Sequence, residues 1–403
     1  MHTESSKSNT VIQEENTFKS TASFPAISMS TPKPPYKFNK LLELVKAYNN
    51  FQRTSDYWEF GYYLAKNKNA WIKLGFIRPQ EAQRLQGYKS QLGGYLSFDT
   101  QQKHIQLDSI HVQDSATVVE AIKAIRVILS QLPKTGEKHE GNFGTGLWED
   151  NDEMWPLYGF GFLTGFLCGL SPIFGIVTTG VHLNVYKREG ATFRIWVAQR
   201  SEKKNFPRMY DQCAAGGYQY QLTQPKAKAK PKQPKTEDYG ESNDVSTKAC
   251  IEREVKEELR QGLPENWITR VEGPHAIQFA YIRDDRSGEH LDGFPELGVK
   301  IAYDLELKSG ENPEFKKLNL NEVSGVTSFL VDEIVNLLLK DQFKPNCALV
   351  MVAFLIRLGC LGKYASAQDI GDIEKMLRKH PAVDVLPHWE LSQEPKTSGQ
   401  KRR

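Results

Sequence analysis

Residues 253–258 read Arg253-Glu254-Val255-Lys256-Glu257-Glu258, within a helix-forming run expected over 247–259. On an α-helix, positions three and four apart share a face, so Glu254, Glu257 and Glu258 stand together and Arg253 faces Glu257. Ile251 and Val255, one turn apart, supply the buried edge. Three clustered carboxylates repel one another unless a cation neutralises them. A hard divalent ion with oxygen ligands does so, and magnesium also takes substrate phosphates. A solvated acidic face on a surface helix would show the same spacing. Two neighbouring features favour the metal reading. Ala215-Gly216-Gly217 stands upstream, where a tight turn would let backbone amides approach a phosphate, and Gly262-Leu263-Pro264 supplies a helix stop. Ser242, Asn243 or Asp244 is expected to cap the start of the helix.

Working outward, 176–186 and 193–198 read as strands joined by a turn at Glu189-Gly190. Strand 299–307 follows, then 326–330 as a strand or the lead-in to helix 331–339, and an apolar helix over 346–358. Before this unit, 95–98 and 105–107 read as paired strands. Helix 116–132 is amphipathic, with Val118, Ala121, Ile122, Ile125 and Leu129 on one side. The uncharged stretch 155–181 is long enough to cross a bilayer. Its glycines and the Ser171-Pro172 pair break it into two short pieces, so the expectation is a buried helix, a turn and a core strand, with no membrane span.

The chain has 403 residues, which suggests two or three domains, and a net charge of +3, too small by itself to indicate nucleic acid or membrane as partner. Lys226, Lys228, Lys230, Lys232 and Lys235 alternate with Ala, Gln and Pro in a loop insertion over 223–240; without aromatics, this tract reads as solvated. The five cysteines are scattered and form no C-x-x-C pair, which argues against zinc and for a reducing compartment. With no signal-peptide pattern, the cytoplasm is expected, the nucleus being the alternative. The expected organisation is a loose tail at 1–35, a small α+β domain at 36–145, a larger domain at 146–390 and a polar tail at 391–403. A polar linker over 134–147 joins the two domains.

Arg253-Glu254-Val255-Lys256-Glu257-Glu258 matches the R-E-U-x-E-E core of the Nudix box, and Ala215-Gly216-Gly217 resembles the A-G-G that opens it. The chain resembles a Nudix hydrolase subfamily that carries an extra N-terminal domain and occurs alone or fused to thiamine pyrophosphokinase. The resemblance rests further on Gly180-Val181-His182-Leu183-Asn184, on 195–201, on 204–217 with Pro207 and Asp211, on Tyr303-Asp304-Leu305, on Glu322-Val323 and on Phe343-Lys344-Pro345-Asn346. It runs over about 145–362, with a weaker echo from about residue 36. Three departures stand out. Strict counting back from Arg253 puts the consensus Gly and Glu on Tyr239 and Val245, while Gly240-Glu241-Ser242 lies four residues early. A one-turn insertion would keep Glu241 on the same face. The glycine expected after the Glu-Glu pair falls on Arg260.

The resemblance implies an α+β protein whose C-terminal part is an α/β/α sandwich with a mixed sheet. It implies Mg²⁺ or Mn²⁺ as cofactor, held by Glu254, Glu257, Glu258, Glu322 and Glu241, with Glu257 and Glu254 catalytic. Gly216, Gly217, Arg200, Lys204, Asp211 and His182 are the expected substrate side. A satisfied core histidine competes with that role for His182, surface ion pairs compete for Arg200 and Lys204, and a turn competes for Asp211. The implied activity is hydrolysis of a small-molecule diphosphate, specifically altered thiamine diphosphates such as oxothiamine or oxythiamine diphosphate, to monophosphates. The alternatives are a nucleoside diphosphate derivative such as 8-oxo-dGTP or ADP-ribose, and ligand binding without turnover.

Overall fold

The computed structural model describes residues 38–64, 67–131, 153–160, 162–220, 246–288 and 291–378. The two tails, the linker 134–147, the Lys-rich insertion and Glu241 lie outside the described residues. The N-terminal elements are α1 (Leu41–Ala47), β1 (Trp58–Leu64), β2 (Asn67–Ile77), α2 (Pro79–Gly87), α3 (Lys89–Leu92), β3 (Leu96–Asp99), β4 (His104–Leu107) and α4 (Ser115–Ser130). A hairpin, β5 (Met154–Leu157) and β6 (Thr164–Leu167), and the short α5 (Ser171–Phe174) lead into β7 (Thr178–Glu189), β8 (Thr192–Arg200), β9 (Tyr210–Gln212) and β10 (Ala214–Gly217). The chain continues through α6 (Thr247–Glu258), β11 (Glu272–Ile282), β12 (Pro295–Glu306), β13 (Val323–Leu330), α7 (Val331–Leu339), α8 (Pro345–Arg357) and α9 (Ala367–Leu377).

The first sheet has the order β2-β1-β4-β3, with β1 and β4 parallel and the other pairs antiparallel. Helix α4 covers it. Asp114 caps α4 by accepting from the Thr117 amide at 2.8 Å, and Val118, Val119, Ala121, Ile122, Ile125 and Leu129 bury its apolar stripe. They meet Phe60, Tyr62, Leu74, Ile105 and Leu107 in one core.

The second sheet runs β11-β12-β7-β8-β13; β12 and β7 are parallel, the remaining pairs antiparallel, so the sheet is mixed. β10 pairs with β7, and β9 with β8. Side chains alternate across a strand, and here both faces are covered. Val181, Leu183 and Val185 of β7 pack with Val299, Ile301 and Leu305 of β12 under Cys250, Ile251 and Val255 of α6. Tyr186, Ile195, Val197, Ile277 and Phe279 pack toward α7, α8 and α9, where α1 adds Leu41, Leu44 and Val45. The result is an α/β/α sandwich with an additional α+β layer, the expected fold class.

The described residues from Tyr36 onward belong to one unit. Residues 49–51 line the outer edge of β11: Phe51 N donates to Ala280 O at 3.0 Å, and Asn49 and Asn50 accept from the Ala280 and Ile282 amides at 2.9 Å. β5 and β6 share the core of the first sheet. Hydrogen bonds and core packing both cross the boundary expected near residue 145.

The stretch 155–181 departs from expectation. Among the described residues, a β5–β6 hairpin and one 3₁₀ turn at Cys168–Leu170 precede Ser171 in place of the expected helix, and Pro172 opens the short α5 instead of ending a longer one. Gly159, at φ 114°, and Gly165, whose added Cβ would lie 2.3 Å from the Tyr220 ring, suit a turn and a crowded strand. No described helix is long and apolar enough to cross a membrane.

Candidate active site

β10 and α6 set one wall. Ala215 pairs with His182 and Gly216 with Val181, so the three small residues form an extended strand, not the tight turn expected from the sequence. Their smallness serves side-chain approach. A Cβ on Gly216 would lie 1.9 to 2.1 Å from the Glu254 carboxyl, and one on Gly217 would lie 2.0 Å from the Trp155 ring. Helix α6 is capped by Ser246, which accepts from the Ala249 amide at 3.1 Å, rather than by residues 242–244, which lie outside the described residues. At its other end the Val255 carbonyl accepts from both the Leu259 and Arg260 amides at 3.0 Å, and Arg260 takes φ 56°. That is the left-handed conformation a glycine adopts freely, which accounts physically for the consensus glycine at this position.

Glu254, Glu257 and Glu258 all face the cleft. Glu254 is buried, and Glu257 is exposed at the rim. Glu258 accepts from the Ala215 amide at 3.0 Å. Arg253 braces the set, 2.9 Å from Glu254, 3.0 Å from Glu257 and 2.9 Å from the Gly217 carbonyl. Burial, and then the charges of Asp211 and Glu254, push the Glu258 carboxyl well above the usual carboxylate range. A crowd of desolvated carboxylates with one of them driven toward its neutral form is a site short of positive charge. Its all-oxygen donor set therefore fits a hard divalent cation held by Glu254, Glu257 and Glu258. Glu322 reaches the same cleft but forms an ion pair with Lys204.

The same cleft is also lined by Arg200, Lys204, Lys300 and Lys344, of which Lys300 is buried and the others are half-buried. Arg200 meets Asp211 at 3.2 Å and also donates to the Asn205 carbonyl. Cys347 of α8 donates to Asp211 at 2.8 Å, and burial with the facing carboxylate pushes its thiol up. Gln212 Nε2 donates to the Cys347 carbonyl at 2.9 Å, which leaves Gln212 Oε1 to accept from His182 Nδ1 at 2.7 Å. That network assigns the Nδ1–H tautomer to His182. The ligand atoms of His182, Asp211 and Cys347 lie within 4.8 Å of one another. The protonated thiol and the hydrogen bonds among them make this cluster a structural brace.

Burial lowers His182 to about 4, outweighing the opposing charge of Asp211. A base whose folded pKa is depressed contributes stability above its unfolded value, near 6.5, and loses it as pH falls toward the folded value. Wild-type stability is therefore expected to drop by about 2 kcal/mol from this residue between pH 7 and pH 5. Denaturant melts at those two pH values check this: His182→Gln should start lower at pH 7 but show a flatter acid decline.

All site residues named from the sequence and described here line this one cleft of about 390 Å³: Glu254, Glu257, Glu258, Glu322, Gly216, Gly217, Arg200, Lys204, Asp211 and His182. Sequence reasoning missed Trp155, Glu153, Lys300, Lys344 and Asn346, which line it too. Lys300 had a signal, since a lysine inside the apolar strand run 297–303 is out of place unless it has a task.

No family model matches the chain. The uncharacterized protein YJR142W of Saccharomyces cerevisiae is 29% identical over 217 residues, 52% of this chain and 55% of that protein. Nudix hydrolase 20, chloroplastic, of Arabidopsis thaliana is 26% identical over 191 residues, 47% of this chain and 41% of that protein. The matches thus span about half the length of these curated relatives. Among solved structures, the NUDIX domain of Shewanella oneidensis NrtR complexed with ADP ribose is 12% identical, covering 40% of this chain and 79% of that chain, at a TM-score of 0.24. A binary complex of the C. elegans Ap4A hydrolase is 12% identical, covering 45% and 98%, at a TM-score of 0.25.

Proposed function

We propose that this chain is a metal-dependent diphosphohydrolase of the Nudix type, acting on a thiamine-diphosphate-like molecule to leave a monophosphate. The observation that carries this reading is one cleft with two kinds of lining: Glu254 and Glu258 pack on Gly216 and Ala215, and Arg200, Lys300 and Lys344 line the same cleft. One lining suits a divalent cation and the other an anion, and a diphosphate needs both. A bound Mg²⁺ or Mn²⁺ would neutralise phosphoryl charge and make water a better nucleophile. Glu257, at the solvent-facing rim and oriented by Arg253, is the carboxylate placed to accept the water's proton. Arg200 and Lys204 extend positive charge along the phosphates' path. The Trp155 ring beside Gly217, with Glu153 on the same wall, offers an aromatic face and a carboxylate to a cationic heteroaromatic ring. The motif resemblance supports the same substrate class.

A second reading, ligand binding without turnover, is favoured by the Lys204–Glu322 pair, which occupies a carboxylate that would otherwise be free for metal. Hydrolysis with Mg²⁺ of oxothiamine or oxythiamine diphosphate, ADP-ribose and 8-oxo-dGTP, with products identified, separates the readings. The expected kcat/KM favours the thiamine analogue by at least about tenfold. Equal or better turnover of a nucleotide would remove the thiamine assignment while leaving the hydrolase class. No turnover of any of them would favour the binding protein.

A further inference from the structure

At the deep end of the cleft, Lys300 of β12 is only 7% exposed, and its neighbours Asn346, His182 and Asp211 are at 2%, 3% and 6%. Among the described residues, no carboxylate or carbonyl makes an ion pair or hydrogen bond with the Lys300 ammonium. The carboxylate that acts on it most strongly, Glu296 on the same strand, is already held by Tyr281 at 2.7 Å, Arg283 at 3.0 Å and Asn346 at 3.1 Å. Glu296 and Asp211 favour its charge from a distance, but a buried ammonium with no direct ion pair is costly unless something anionic completes it. Burial brings Lys300 down to about 8, with Glu296 opposing, so at pH 7 it remains mostly charged.

Two further features converge on the same place. Lys344, the N-cap of α8, also lines the cleft and likewise makes no side-chain ion pair among the described residues. The thirteen-residue α8 begins there, with Pro345 at its first position and no side-chain cap, and Asn346 of its first turn lines the cleft, so the positive end of the helix dipole lies beside it. The ammonium also adjoins the metal wall: a Cβ on Gly180 would meet Lys300 Nζ at 3.0 Å and the Gly216 carbonyl at 2.6 Å.

We infer that Lys300, Lys344 and the first turn of α8 form an anion subsite for the terminal phosphate of a monosubstituted diphosphate. This rests on the diphosphohydrolase reading for its place in catalysis, but the anion site itself does not. Because the deep end is closed by buried side chains, a phosphate seated there carries no further substituent. The organic group then leaves toward the half-buried Trp155 and Glu153. Diphosphates substituted at both ends would not fit this orientation.

Calorimetric titration of the full chain with inorganic pyrophosphate, in EDTA, tests the subsite without turnover. Wild type is expected to bind, Lys300→Met to bind at least tenfold more weakly, and Lys375→Met, an exposed lysine outside the cleft, to bind like wild type. A thermal melt checks that Lys300→Met is folded; if it is not, Lys344→Met, at a half-buried position, carries the same expectation. A wild type that fails to bind, or a folded Lys300→Met or Lys344→Met that binds equally well, would overturn the subsite. Should binding follow this pattern while no diphosphate is hydrolysed, the subsite stands and the hydrolase reading falls. Should hydrolysis occur but run equally fast on singly and doubly substituted diphosphates, the terminal-phosphate orientation falls and the hydrolase reading stands.

Discussion

Glu258→Gln is expected to lower kcat for diphosphate hydrolysis by about 10²–10⁴-fold, with little loss of fold stability. The amide is nearly the same shape, and its carbonyl can still accept from the Ala215 amide, so β10 and α6 stay joined. On the proposed reading, what disappears is a negative charge that would hold a divalent cation. In the metal-free protein that charge is unwelcome, because Glu258 is desolvated and faces Asp211 and Glu254. Removing it should leave the metal-free melting temperature unchanged or higher. Mg²⁺ should stabilise the wild type, by about 2.7 kcal/mol at a hundred times its dissociation constant, and stabilise the variant far less. Steady-state kinetics together with melts with and without Mg²⁺ check both halves. A variant that retained activity within tenfold would remove Glu258 from the metal site.

Gly216→Ala should lose about 10²-fold in kcat through geometry alone. The new Cβ would stand 1.9 to 2.1 Å from the Glu254 carboxyl, so that carboxylate must swing away from the site. Its terminal atoms are the flexible end of a long side chain, and the fold can absorb their movement at small cost. Activity and stability should therefore separate: a large fall in kcat with a change of only a few degrees in melting temperature. Gly325→Ala on β13, where an added Cβ meets nothing within 4 Å, is the control and should leave both unchanged. A Gly216→Ala enzyme with wild-type kcat would mean that the approach of Glu254 to β10 has no catalytic purpose.

Much of the sandwich was legible because its elements carry strong local periodicity. The apolar stripe of α4, the carboxylate face of α6 and the runs forming α7 and α8 each announce themselves within a dozen or so residues. The β5–β6 hairpin was not legible. Its aromatic and glycine-rich sequence has no clear period, and the two strands gain their burial from α4 and the first sheet, far away in sequence. β11 was hidden in a similar way, since its residues alternate poorly and its edge is completed by 49–51.

For the site, the acidic wall could be read because its three glutamates share one helix turn. Of the rest of the cleft, Arg200, Lys204, Asp211 and His182 could be named only through the family resemblance, and Lys300 and Lys344 were missed, because it is assembled by tertiary pairing. Asp211 finds Cys347 and Arg200, and Gln212 links His182 to α8, across gaps that no spacing rule spans. Arg260 shows the opposite case, in which the sequence records a departure and the structure explains it: the position takes a positive φ even with arginine there.

The most direct test is product-resolved hydrolysis of a thiamine-type diphosphate by the full chain, with Mg²⁺ or with EDTA, for wild type and Glu258→Gln. The expected result is release of the monophosphate and inorganic phosphate by the wild type with Mg²⁺ and by neither protein in EDTA, with the variant reduced at least about a hundredfold. Equal product release by wild type and variant, or release that persists undiminished in EDTA, would contradict a metal-dependent diphosphohydrolase built on Glu254, Glu257 and Glu258.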